Sequence, residues 1–336
     1  MTWICNSYPG GLSDETISGV HFVRIGPALG YTVFELFISY PLFLAHTILT
    51  AIGLLHRQKP DLVIDEIHGL PFFTPLYSRP RAALWVCEVA GPIWDKMYPW
   101  PVNTIGSWLE KLIYWLYRQT EIWAISQSTR SDILRLNPQA KVKVIPLGVD
   151  PVVMPRANKT AFPSAVFLAR LVKMKGVETA LMAARGIASQ LLDFKLYLIG
   201  AGSPEYVAHL HNLVARLGIT SNVEFLGRLS DSQRNRILAR SHFLLHPSFK
   251  EGFGLTVLEA GLAGTPAIVR AGSSLDELVK PGVTGLVFTD ESQIARLFLD
   301  HWQSSGYSGL SRQAQKLARR YLWPAVLNQS AKVTGL

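Results

Sequence analysis

The stretch HPSFKEGFGLTVLEAGLAGTP, residues 246–266, carries the reading of this chain. Residues 242–246 ahead of the turn, His-Phe-Leu-Leu-His, form a short apolar run that Pro247 ends, which predicts a buried strand. Leu255, Leu258 and Leu262 then recur at helical spacing, so a helix is expected from about Gly254 to Gly264. A strand, a glycine turn and a helix start together make an anion site. The first helical amides have no internal partners, and the helix dipole turns its positive end toward the turn. Two carboxylates, Glu251 and Glu259, stand eight positions apart around Gly252-Phe253-Gly254-Leu255. Glu259 shares the predicted inward face with the three leucines, where a carboxylate needs a hydrogen-bonding partner.

Working outward, apolar runs at 165–169, 196–199, 223–226, 243–246, 267–269 and 286–288 alternate with helical stretches that include 205–217, 231–240 and 255–263. Such alternation is the pattern of a doubly wound parallel sheet, an α/β fold. Ligands bind such sheets at the carboxyl ends of the strands. Arg170 and Lys175 follow the first run, Gly200 and Gly202 the second, Gly227 and Arg228 the third, and Glu251 the fourth.

The pattern P-S-x-x-E-G-F-G-L-x-x-L-E-A-x-x-x-G-T-P resembles the donor-site signature of the family 4 retaining glycosyltransferases, which have the GT-B fold of two Rossmann-like domains with a cleft between them. The resemblance implies that Glu251 faces the donor sugar as the catalytic-site carboxylate. It implies that the amides of Gly252, Phe253, Gly254 and Leu255 cradle sugar and diphosphate, and that Glu259 holds the ribose hydroxyls. FLARLVKMKG matches a second motif of the family, whose basic pair, here Arg170 and Lys175, neutralises the donor diphosphate. Cations aimed at the charge developing on a nucleoside diphosphate lower the barrier without a metal. No Asp-x-Asp pair stands in the chain to hold a divalent ion, so no metal and no cofactor are expected, and the nucleotide sugar is a substrate. Gly200, Gly202, Gly227 and Arg228 are the expected nucleotide pocket.

Composition fits a folded protein with more than one domain: 336 residues, 49% hydrophobic and 17% charged. Two cysteines, Cys5 and Cys87, make neither a disulfide framework nor a metal site and suit a reducing compartment, so a cytoplasmic chain is expected. A net charge of +9 favours acidic partners: nucleotide diphosphates, anionic lipid headgroups or nucleic acid. Nucleic acid is the weakest of these, since no zinc-finger spacing, RNP-like motif or dense basic run is present. Residues 36–55 are an uncharged apolar stretch apart from His46, long enough to span a bilayer. Pro41 within it, Glu35 and Arg57 around it, and a strand pattern at 61–65 favour a crossover helix or a helix lying on a membrane surface. Peripheral attachment to an anionic membrane face, with a glycan or lipid-linked acceptor, follows as an expectation.

The first half reads as strands at 2–5, 22–25, 62–65, 83–87, 122–125 and 143–145. Against the family's pattern it departs twice. An opening strand and glycine-rich loop that precede this segment in the family are absent, which predicts a gap at the centre of the first sheet. Where relatives carry a histidine facing the donor sugar, the matching residue is Cys87, a weak hydrogen-bond donor. Glu88 and His68 are further candidate cleft residues. The expected domains are 1–150 for the acceptor, 151–320 for the nucleotide sugar, and 321–336 as a helix returning toward the first, with 150–164 as linker. A catalytically impaired nucleotide-sugar-binding protein and a GT-B epimerase are the alternatives.

Overall fold

The computed structural model describes residues 1–8, 10–26, 40–67, 71–78, 81–91, 93–151 and 157–335. His68 and residues 36–39 and 152–156 lie outside them. The chain divides into two compact units, residues 1–123 with 132–143 and residues 124–131 with 144–336, so it passes between them three times.

The first unit begins with β1 (Thr2–Asn6), β2 (Asp14–Ile17) and β3 (Val20–Ile25), ordered β1-β3-β2. β1 runs parallel to β3, and β2 closes an antiparallel hairpin on it. The sequence reading did not include β2: Asp-Glu-Thr-Ile is a polar edge strand with no apolar alternation to mark it. Helix α1 (Tyr40–Gln58) follows and packs on β1 and β3 through a face that buries Phe43 and Thr47. No helix among the described residues is long and apolar enough to cross a membrane. Next come β4 (Leu62–Ile67), β5 (Arg81–Val86), α2 (Ile93–Met97), α3 (Val102–Leu116), β6 (Glu121–Ala124), α4 (Gln127–Leu136) and β7 (Val142–Val144). Their strands form a second sheet ordered β4-β5-β6-β7. Asp65, on β4, is buried and accepts hydrogen bonds from the Phe72 amide (3.0 Å), the Thr74 amide (3.2 Å), the Thr74 hydroxyl (3.0 Å) and the Tyr117 hydroxyl. One carboxylate thereby ties the chain after β4 to the end of α3.

The second unit is a single six-stranded sheet. Its elements are β8 (Ser164–Leu168), α5 (Val177–Ala188), β9 (Lys195–Ile199), α6 (Pro204–Leu217), β10 (Val223–Gly227), α7 (Asp231–Arg240), β11 (Phe243–His246), α8 (Leu255–Leu262), β12 (Ala267–Arg270), α9 (Leu275–Leu278), β13 (Gly285–Phe288), α10 (Gln293–His301), α11 (Tyr307–Arg319) and α12 (Trp323–Thr334). The order is β10-β9-β8-β11-β12-β13, parallel throughout. β11 is buried at every position, as its run of Phe-Leu-Leu requires, and each such side chain contributes about 1.5–3 kcal/mol. Helix starts are locally encoded. Ser203 caps α6, and Ser230 with Gln233 forms a reciprocal capping box on α7. From β8 the chain winds one way to β9 and β10, then returns to the other side with β11. The order therefore reverses between β8 and β11, whose loops lie side by side.

Candidate functional site at the β8–β11 switch point

The loop after β8 carries Arg170 and Lys175, and the loop after β11 carries Glu251. The backbone binds the two loops together: the Phe249 amide donates to the Met174 carbonyl at 3.0 Å, and the Ser248 hydroxyl to the same oxygen at 3.3 Å. On the far side, Arg270 of β12 donates to the Pro247 carbonyl (3.2 Å) and lies 4.3 Å over the Phe249 ring. The Ser274 hydroxyl holds the Glu251 carbonyl at 2.8 Å. The carboxylate-bearing loop is thus pinned from both neighbouring strands.

Two donors converge on one oxygen of Glu251. Lys175 Nζ lies 2.6 Å from Oε1, and His246 Nε2 lies 3.0 Å from the same atom. Ionised carboxylate only accepts, so Nε2 carries the ring hydrogen, and Nδ1 faces the Thr256 hydroxyl at 3.5 Å. Burial pushes the Glu251 carboxyl up, but the hydrogen bonds and electrostatic interactions with His246 and Lys175 override it and hold the group at about 2. Glu251 therefore stays an anion at any physiological pH. His246 was read from the sequence only as the end of a strand. A polar residue closing an otherwise apolar strand, just before a glycine loop, is the signal that marks it.

Helix α8 starts at Gly254, whose φ of 105° suits glycine alone, and no side chain caps it. A Cβ there would come within 2.6 Å of Leu275. In the first turn of α8 the Val257 amide donates to the Gly254 carbonyl at 3.0 Å. Phe253 contributes only backbone to the turn, because its ring is buried edge-on against Tyr321 at 5.7 Å. Leu255 corrects the sequence reading: it is 38% exposed, and the inward face of α8 consists of Val257, Leu258, Ala260, Gly261 and Leu262. The eight-residue helix is short, and packing rotates its buried stripe by one position. Glu259 is consequently part-exposed on the second turn, 3.8 Å from Arg234 of α7. Burial pushes its carboxyl up, Arg234 pulls it back, and Asp231 and Asp150 add to the rise.

Gly200 and Gly202 let the loop after β9 lie against the loop after β8. A Cβ on Gly200 would sit 1.9 Å from the Ala169 carbonyl oxygen, and one on Gly202 would sit 2.3 Å from that of Leu171. Gly200 also donates its amide to the Gly227 carbonyl at 2.8 Å, which joins the ends of β9 and β10. Arg170 and Arg228 are exposed at their strand ends. In the first unit, Cys87 and Glu88 follow β5 and are part-buried. The Cys87 thiol lies 3.9 Å from Glu66 Oε1, and burial together with that carboxylate pushes the thiol up, so it stays protonated.

Residues 155–300 match the family described as glycosyl transferases group 1. An uncharacterized glycosyltransferase of Methanocaldococcus jannaschii is 24% identical over 296 residues, 81% of this chain and 72% of that relative. Further curated relatives match over shorter segments, 37% and 39% of their own lengths. Sucrose-phosphate synthase from Thermosynechococcus elongatus shares the fold with a TM-score of 0.82 at 17% identity, covering 99% of this chain and 88% of that one. HepE of Anabaena, solved with UDP-glucose, gives 0.72 at 19% identity over 86% of this chain and 82% of its own. The two α/β units thus have the GT-B fold, and the matched segment, which contains Arg170, Lys175, Glu251 and Glu259, together with these relatives supports a GT-B glycosyltransferase.

Proposed function

We propose that this chain is a retaining glycosyltransferase of the family 4 kind, moving a hexosyl group from a nucleotide sugar to an acceptor hydroxyl without a metal. One observation carries the reading: the convergence of Lys175 and His246 on Glu251, beside the uncapped start of α8 at the switch point. The matched nucleotide-sugar complex of HepE supports the donor class. Residues 1–150 take the acceptor in this reading, and residues 151–320 take the donor.

The donor diphosphate lies against the amides of Gly254 and Leu255, with Arg170 and Lys175 as its counter-charges. Lys175 exchanges its contact with Glu251 for one shared between carboxylate and phosphate. Glu251, kept anionic by its two donors, accepts from the sugar hydroxyls and positions the ring. Glu259 accepts from the ribose hydroxyls, and the loops of Gly200, Gly202, Gly227 and Arg228 border the base. The acceptor oxygen attacks on the face from which the diphosphate departs, so the new bond keeps the anomeric configuration. The acceptor is a glycan or a lipid-linked glycan at an anionic membrane face.

Lys175→Ala is the direct test. Affinity for the nucleoside diphosphate should fall by about 10- to 100-fold, as expected for a lost charge-assisted contact, while affinity for the free nucleoside stays unchanged. Calorimetric titration of both ligands reads this, and proton NMR of the product reads the anomeric configuration. Equal losses for nucleoside and diphosphate would remove the diphosphate role, and an inverted product would remove the retaining mechanism.

A further inference from the structure

We infer that the outer face of α3 is a docking surface for an anionic lipid bilayer. This rests on the membrane-acceptor part of the reading above and names the surface that serves it.

Helix α3 is locked in rotation by its inner side. Gly106 lies against the Trp94 ring, so closely that a Cβ would come within 2.4 Å of it. Glu110 accepts from the amides of Ala90 (2.7 Å) and Gly91 (2.9 Å), and Ile113 and Tyr114 are buried. What this leaves outside is apolar. Ile105 is 54% exposed, Trp108 61% and Trp115 55%, with Leu112 half-buried between them. Their spacing places them in one stripe along the helix. Trp100, just ahead of the helix, is 79% exposed. A contiguous exposed stripe of this kind marks an interaction site.

Composition and charge choose the occupant. Tryptophan is the side chain that favours the boundary between lipid headgroup and hydrocarbon. Lys111 and Arg118 flank the stripe, and the Arg118 guanidinium lies 4.2 Å over the Trp115 ring. From 98 to 118 the only acid is Glu110, which is turned inward onto backbone amides. The outer face of α3 therefore offers indole and cations with no carboxylate of its own, the pattern of a helix lying on an anionic membrane, while Asp95 of α2 is held by the Asn103 side chain at 3.0 Å. A second copy of the chain is a poorer occupant, because a two-fold contact along this stripe would bring the cations of one copy, Lys111 and Arg118, toward those of the other. The apolar stretch 36–55 is the weaker surface: α1 exposes Leu42 and Leu49 but no tryptophan.

The test sediments the full chain with vesicles of phosphatidylcholine alone or mixed with phosphatidylglycerol, at low and high salt. The unaltered chain should bind the mixed vesicles and release them in salt. Trp108→Ser with Trp115→Ser should weaken binding about tenfold or more. Each cation near an anionic surface is worth a factor of about five, so Lys111→Glu with Arg118→Glu should lose about 25-fold or more at low salt. Both variants should bind nucleoside diphosphate as before and should keep the denaturation midpoint of the first unit, which shows that a loss of vesicle binding is not a loss of fold. If the unaltered chain ignores the mixed vesicles, the membrane reading itself falls and this surface with it. If it binds them and both variants bind equally well, α3 is the wrong surface and the membrane reading stands. A dimer that the tryptophan variants split, with no vesicle binding, would reassign the stripe to a contact between copies.

Discussion

In the second unit six strands pair without a break, and β11 is buried at every position, as is β8 at all but its last. Among the described residues of the first unit the strands fall in two sheets, and β1 and β3 are only partly covered. The contrast shows what a continuous sheet supplies to a site. At the β8–β11 switch point both loops start from strands held on two sides, so Lys175, His246 and Glu251 meet at hydrogen-bonding distance. In the first unit the corresponding task falls to single polar anchors such as Asp65, which must gather separate segments one hydrogen bond at a time.

Disturbing the switch point should give the largest effect. Glu251→Gln should lower transfer about 100- to 1,000-fold, the scale for a preorganised electrostatic contact in a closed site. It should leave binding of the free diphosphate largely intact, whereas Glu259→Gln should weaken it; steady-state rates and titration separate the two. Matching losses of diphosphate affinity in both variants would break the assignment of distinct roles.

The first unit should respond most to its anchor. Asp65→Ala strands the amides of Phe72 and Thr74 and the hydroxyls of Thr74 and Tyr117, and should cost about 3 kcal/mol. Denaturation followed by tryptophan fluorescence should show that loss in the first unit, with nucleotide protection of the second unchanged. A loss shared equally by both units would mean that they unfold as one.

The second unit has its own part-buried ionisable group. Lys159 donates to the Ser241 carbonyl and the Thr265 hydroxyl, each at 2.6 Å, and burial holds its amine down at about 7. The unfolded chain keeps that lysine protonated up to about 10.4, so between pH 7 and 9 the unfolded state binds more protons. Stability should therefore rise with pH across that window, by about 2 kcal/mol from this group. Lys159→Met should flatten the slope, as urea melts at several pH values would reveal. An unchanged slope would mean that the amine stays charged in the fold.

Smallest should be the loss of a helix cap. Ser230→Ala removes the capping box of α7 and should cost about 1 kcal/mol in the second unit alone. A larger effect, or one that reached nucleotide binding, would show that α7 and its Arg234 are coupled to the Glu259 side of the site.

The sequence by itself determined the six strands of the second unit, the extent of α7, the glycine turn and the start of α8. Each is a local decision: a wholly apolar run, a capping residue and a positive φ are written within a few positions. It determined which carboxylates and cations stand at strand ends, because strand ends follow from the runs. Only the tertiary structure decided which of these side chains meet. His246 joins Glu251 because β11 delivers it to the same point that the loop after β8 reaches from 76 positions away through Lys175. Likewise, the polar strand β2 exists because β3 offers it an edge, and Leu255 faces outward because the packing of α8 fixes its rotation. The tryptophans of α3 lie outside because Gly106 admits Trp94 and Glu110 grips the amides of Ala90 and Gly91 on the other face. Periodicity says that a helix has two faces. Only packing against the rest of the chain says which one is left to the surroundings.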